Sequence, residues 1–106
     1  MALSAHILRF LHDLRWEGQL PKGVEVLYPF GDPETWKACE TFYKKFYATG
    51  SRALMIGINP GRFGAGTTGI PFTDPIRLKD PCGIDNPWPA RQELSSVFMY
   101  EMIEAF

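Results

Sequence analysis

The sequence predicts an α/β fold: the N-terminal part of a three-layer α/β/α sandwich with a central parallel sheet. Three observations carry this reading. Residues 53–58 (ALMIGI) form an unbroken apolar run between turn residues, the pattern of a strand buried on both faces. Helical periodicities flank the run on both sides. A long loop rich in proline and glycine follows it, and open α/β sheets bind their ligands beyond the carboxyl ends of their strands. The same inventory marks the sheet as incomplete in this chain. A doubly buried parallel strand needs parallel neighbours, and only one other β-prone stretch is present. Residues 1–106 are read as one partial domain, against the alternative of a small α+β domain that closes on itself.

The elements follow in order. Ser4 is placed to cap a first helix carrying Ile7, Leu8, Leu11 and Leu14 at helical spacing. Pro21 and Gly23 break the chain. Residues 24–28 (VEVLY) are short and β-prone, and Pro29 stops them. Asp32 and Pro33 then start a helix as cap and first residue. Trp36, Cys39, Phe42, Tyr43, Phe46 and Tyr47 mark its apolar side, Lys44 and Lys45 its solvated side, and Gly50 ends it. Arg52 leads into the apolar run. After the loop of residues 59–89, where Trp88 reads as a packing anchor, residues 91–106 are helical. Leu94, Val97, Phe98, Met102, Ile103 and Phe106 form the apolar side of that helix.

Bulk properties exclude several classes. The chain is 45% hydrophobic and 14% aromatic, which argues for a packed core. A net charge of −1 gives no global signature of nucleic-acid binding, so any DNA contact must be local. The apolar runs are far short of the roughly 20 residues of a membrane span. The N-terminus reads as an amphipathic helix rather than a signal peptide. Cys39 and Cys82 have no C-x-x-C context, which argues against zinc or an iron–sulfur cluster and suits a reducing compartment. His6 and His12 fall on different faces of a helix and read as surface residues, not ligands.

The glycine-rich loop admits several readings. Residues 64–69 (GAGTTG) match G-x-G-x-x-G, but no helix opens directly after the strand and Pro71 blocks one. Residues 61–68 (GRFGAGTT) approach a phosphate-binding loop, with Thr67 where its lysine belongs. A turn rich in glycine for conformational reasons explains the glycines. It explains less well Asn59 between a buried strand and Pro60, or Phe63 and Phe72 in a polar loop. Loop aromatics are candidate platforms for a nucleobase.

Residues 57–61 (GINPG), then Phe63-Gly64, then residues 68–72 (TGIPF) resemble the first motif of the uracil-DNA glycosylase superfamily. The closest pattern is that of the single-strand-selective monofunctional branch, G-M-N-P-G-P-F-G…Q-T-G-V-P-F, with the same step from Asn59 to Phe72. The mismatch-specific uracil/thymine branch shares G-I-N-P-G but has a loop one residue shorter. Residues 24–29 (VEVLYP) and 92–96 (QELSS) also resemble stretches of the first branch. Departures are Arg62 for proline, Thr67 for glutamine and Thr73 for glycine. They leave an uncharacterised bacterial relative as a second home for the chain.

The resemblance implies a DNA-repair hydrolase. It would cleave the N-glycosidic bond of uracil, or of a related damaged pyrimidine, after flipping the base from DNA. Asn59 matches the residue that positions water, and Phe72 the residue that stacks on the base. Backbone N–H groups around Ile58, Gly69 and Phe72 are implied donors to the base. Pro60 and Gly61 match the loop that presses on the DNA backbone, with Arg62 as an added phosphate contact or an ordinary solvated arginine. No metal or cofactor is implied, and neither is a membrane. The protein is expected to be monomeric at full length, in a bacterial cytoplasm or a nucleus. The base-reading asparagine and the second motif, a His-Pro-Ser type loop, have no match in these residues and are expected beyond Phe106. The alternative is a non-catalytic nucleotide- or DNA-binding module with the same fold.

Overall fold

Asp32 and Pro33 start the helix on which the rest of the chain is assembled. The computed structural model describes residues 2–49 and 54–106. We number its helices α1 (Leu3–Asp13), α2 (Pro33–Phe46), α3 (Ala65–Thr68), α4 (Pro75–Lys79) and α5 (Leu94–Ala105), with a 3-10 turn at Pro29–Gly31 before α2. The Asp32 carboxylate accepts the N–H groups of Glu34 and Thr35 at 2.9 and 3.2 Å, satisfying two donors that a helix start leaves free. Thr35, Ala38, Cys39, Phe42 and Tyr43 form the buried face of α2. Trp36, Phe46 and Tyr47 pack at its margin. The expected stop at Gly50, and Arg52 and Ala53, lie outside the described residues.

The core gathers Leu8 of α1, the α2 face, Ile70, Leu78 of α4, Cys82 and Ile84. Trp88 packs against it, as expected of an anchor. Phe42 meets Tyr43 edge-on at 5.4 Å between ring centroids, and Tyr43 meets Tyr47 at 5.3 Å. Ser4 does not cap α1. It is buried as the second residue of the helix, and its N–H donates to the Tyr47 carbonyl at 2.9 Å, which docks α1 on the end of α2. Lys44 pairs with Glu40 at 3.2 Å on the surface. Lys45 departs from the expected solvated role, because its ammonium caps the Cys82 carbonyl at 2.5 Å.

The expected sheet is absent among the described residues, which form no strand. Residues 24–28 are irregular. Residues 54–58 pair with nothing regular, and Leu54, Ile56 and Ile58 are 86, 82 and 101% exposed. The physical reason is non-local: a parallel strand is stable only with neighbours that satisfy its backbone and cover its faces, and no described segment provides them.

The loop after the run is more ordered than expected, holding α3 and α4. Asp74-Pro75 repeats the Asp32-Pro33 grammar and starts α4 in the same way. In α5 the expected apolar side faces outward, with Leu94 80%, Phe98 65% and Phe106 102% exposed. Its inward side is anchored by Ser96 and Tyr100. A helix apolar on more than one side suits a layer with partners on both faces. No helix among the described residues is long and apolar enough to cross a membrane.

Candidate active site

Residues 57–72 form a loop folded on itself and seated on α2. The Gly61 carbonyl accepts two N–H groups, from Gly64 at 3.2 Å and Gly66 at 2.8 Å. A Cβ on Gly66 would sit 2.8 Å from that same oxygen, so this close turn requires glycine there. The carbonyls at the end of α3 are met by α2. Thr35 Oγ1 donates to Thr67 O at 2.8 Å, and Cys39 Sγ to Thr68 O at 3.4 Å. Thr68, fully buried, accepts the Ile70 N–H at 3.1 Å and donates to Thr73 O at 2.8 Å, closing the turn that carries Phe72.

Gly69 ends α3 in the left-handed conformation (φ 74°) and donates its N–H to Ala65 O at 2.9 Å. A Cβ there would lie 2.7 Å from Cys39 Sγ and 2.8 Å from Thr35 Cγ2. The Gly69 N–H is thus directed into the loop, and the residue brings the loop hard against α2. Three residues on, Phe72 is also left-handed (φ 57°), which costs about 1–2 kcal/mol for a residue with a Cβ. Its half-buried ring lies against the Gly57 backbone, where a Cβ would fall 3.0 Å from Phe72 Cζ. Ile58, Asn59 and Pro60 follow directly and are exposed. The structure therefore brings together the two ends of the predicted motif, Phe72 and the residues before Asn59. An open apolar groove runs from Phe72 and Ile70 past Phe42 and Tyr43 to Val97 and Tyr100.

The other side of the loop is held by residues to which the sequence assigned no role in the site. Glu93 Oε1 accepts the Phe63 N–H at 2.7 Å, and a Cβ on Gly61 would come within 2.8 Å of the same oxygen. The Glu93 N–H in turn donates to Asp74 Oδ2 at 3.0 Å. Asp74 is fully buried; it also accepts the Arg77 N–H at 2.8 Å and pairs with the Arg77 guanidinium at 3.1 Å. Ser96 Oγ accepts the Asp74 N–H at 3.1 Å. The signals were a helix-start glutamate in residues 92–96 and the second Asp-Pro pair. Arg62 and Arg91 are exposed, their guanidinium carbons 5.4 and 4.6 Å from the Phe63 ring centroid.

Neither thiol has nucleophile character, since burial pushes Cys39 up to about 12 and raises Cys82 as well. His12 lies on α1 beside Asp13 and Trp36, and His6 is exposed on the same helix. Among the described residues no group of three His, Cys, Asp or Glu side chains is placed to hold a metal.

No family model matches the chain. It is 30% identical over 69 residues to the mouse (Mus musculus) single-strand selective monofunctional uracil DNA glycosylase, a match spanning 65% of this chain and 24% of that protein. The crystal structure of wild-type Pedobacter heparinus SMUG2 superposes on 99% of this chain with a TM-score of 0.88 and 47% identity. The superposition covers 46% of that chain. This chain thus spans less than half the length of either relative. By sequence and by structure, it belongs to the uracil-DNA glycosylase superfamily, in the single-strand-selective monofunctional branch.

Proposed function

We propose that this chain carries the first active-site motif of a DNA-repair glycosylase that hydrolyses the N-glycosidic bond of uracil, or of a related damaged pyrimidine, in DNA. The observation that supports it most is the Phe72 ring held against Gly57, two residues before Asn59, in a loop locked on both sides. Glycosidic cleavage builds positive charge on the sugar and negative charge on the leaving base, after the base has been flipped from the stack. Phe72 is the flat surface that receives the base. Its left-handed backbone, enforced by the turn before it, fixes the ring in place before substrate arrives. Asn59, exposed two residues beyond Gly57, orients the attacking water through its amide oxygen, since an amide is no strong base. The N–H groups of Ile58 and Phe72 are donors for the base oxygens. Gly69 serves the same pocket by seating the turn on α2. Pro60, Gly61 and Arg62 face the DNA backbone.

The stabiliser of the leaving base is assigned to the part of the fold that this chain does not span, because His6 and His12 sit on α1. The exposed run of residues 54–58 is the first strand of the α/β/α sheet once its neighbours are present. The enzyme acts as a monomer on uracil-containing DNA.

The test is excision by the full-length protein from an end-labelled oligonucleotide with a single uracil, read as strand scission after alkali. No scission at enzyme excess, from a folded sample, refutes the reading. A second reading, a binding module without catalysis, is favoured by Thr67, whose hydroxyl donates to Arg62 O at 2.9 Å within the loop instead of facing a base. Retention of uracil-containing DNA without scission would select it.

A further inference from the structure

We propose that Arg62 and Arg91, both laid against the Phe63 ring, form a two-guanidinium site for a DNA phosphodiester beside the catalytic loop. The inference rests on the glycosylase reading and deepens it. Arg62 belongs to the loop itself, whereas Arg91 precedes α5, its backbone set by its N–H donating to the Pro89 carbonyl at 2.8 Å. Tertiary folding brings them to one aromatic ring, at 5.4 and 4.6 Å from its centroid.

The ring attracts each guanidinium, but it does not relieve the repulsion between them. Two cations on one ring lie within about one Debye length (~10 Å at 0.1 M salt) of each other and repel. Among the described residues, neither guanidinium has a carboxylate within ion-pair distance. Only three cations among the described residues have one, Arg9 with Asp13, Lys44 with Glu40, and Arg77 with the buried Asp74; what sets Arg62 and Arg91 apart is that they share one ring. The Glu93 carboxylate is engaged by the Phe63 N–H at 2.7 Å. In a chain of net charge −1, two cations on one ring are a local feature.

The chemistry fits a phosphate. A guanidinium presents a planar fork of donors that matches phosphate oxygens two at a time. Stacking on Phe63 holds both forks in place, so less side-chain freedom is given up on binding. An anion shared between them would relieve their repulsion. Phe63 is itself tied to Glu93, and Asn59 lies four residues earlier in the same loop, so a phosphate held here sits next to the pocket the flipped base enters.

The experiment measures binding of the full-length protein to a fluorescent single-stranded oligonucleotide containing one uracil, by anisotropy, across ~50–200 mM salt. On a single strand, each phosphate that the protein no longer neutralises should lower the slope of log K against log salt by about 0.7. The Arg62→Gln/Arg91→Gln pair, which removes the one shared phosphate, should therefore flatten the slope by about 0.7, and Arg91→Gln alone by less than that. Both side chains are exposed, so the fold is expected to survive, checked by circular dichroism. Lys79→Gln, an exposed cation on α4, should leave the slope unchanged. A double variant with the slope of the wild type, or a Lys79→Gln change as large as that of the double variant, overturns the phosphate site. If uracil excision persists in that case, the glycosylase reading stands without it. A wild-type protein that binds no DNA overturns both.

Discussion

The Phe63 N–H donates to Glu93 Oε1 at 2.7 Å, which ties the loop bearing Asn59 to the start of the last helix. The Glu93 N–H binds the buried carboxylate of Asp74, and Asp74 caps α4. Loop, α4 and α5 are thereby joined through two acidic side chains, and Gly61 is where the loop passes over one of them.

Glu93→Ala should remove this anchor. A partly buried hydrogen bond to a charged acceptor contributes about 1.5–3 kcal/mol, so urea denaturation should show a loss of that order. Glu93→Gln keeps an oxygen that can accept from Phe63 and should lose less than half as much. Equal losses would show that the carboxylate charge, not the geometry, matters.

Asn59→Ala should lower uracil excision by about 100-fold or more, the scale of losing a positioned reactant or a transition-state hydrogen bond. The side chain is exposed, so the thermal midpoint should stay put. Single-turnover rates measure the first quantity and a melting curve the second. Unchanged excision would remove Asn59 from the site.

Phe72→Leu retains apolar bulk but not the flat face. Base–aromatic stacking contributes about 1–3 kcal/mol, so single-turnover excision should fall by roughly 5- to 150-fold. Phe72→Tyr should keep most of the activity. A leucine variant as active as the wild type would mean that the ring packs on Gly57 for structural reasons only.

Gly69 and Gly23 separate conformation from space. Both have positive φ, 74° and 81°, but a Cβ on Gly69 meets Cys39, Thr35 and Phe30 within 3 Å, whereas nothing lies within 4 Å of one on Gly23. Gly69→Ala should cost about 1–3 kcal/mol more than Gly23→Ala, the usual range for overpacking. Chemical denaturation of the two variants gives the comparison.

Cys39 gives the fold a pH dependence. Burial raises its thiol from 9.0 to about 12, so the folded state holds this proton more tightly than the unfolded chain. The associated stability is present in full below pH 9 and is lost progressively as pH rises from 9 toward 12. Buried Tyr43 and half-buried Tyr100 are shifted upward too and act with the same sign. The urea midpoint should therefore drop between pH 8 and pH 10.5, and iodoacetamide at pH 8 should modify Cys39 only in denaturant. Rapid alkylation of the native protein would contradict the burial.

The sequence by itself determined α2, the motif and the family. Helix starts are written locally, in Asp32 and Pro33, and a motif is identified by residue types at set spacing, Asn59 and Phe72 above all. Tertiary structure alone decided how the motif is held. Glu93, Asp74 and Thr35 reach the loop from segments distant in sequence, and Arg91 meets Arg62 only through Phe63. Such contacts leave no periodicity to read. Residues 54–58 make the contrast sharpest. Their apolar pattern was legible as a strand, yet they stay unpaired here, because a helix completes its hydrogen bonds within its own segment while a strand must borrow them from another.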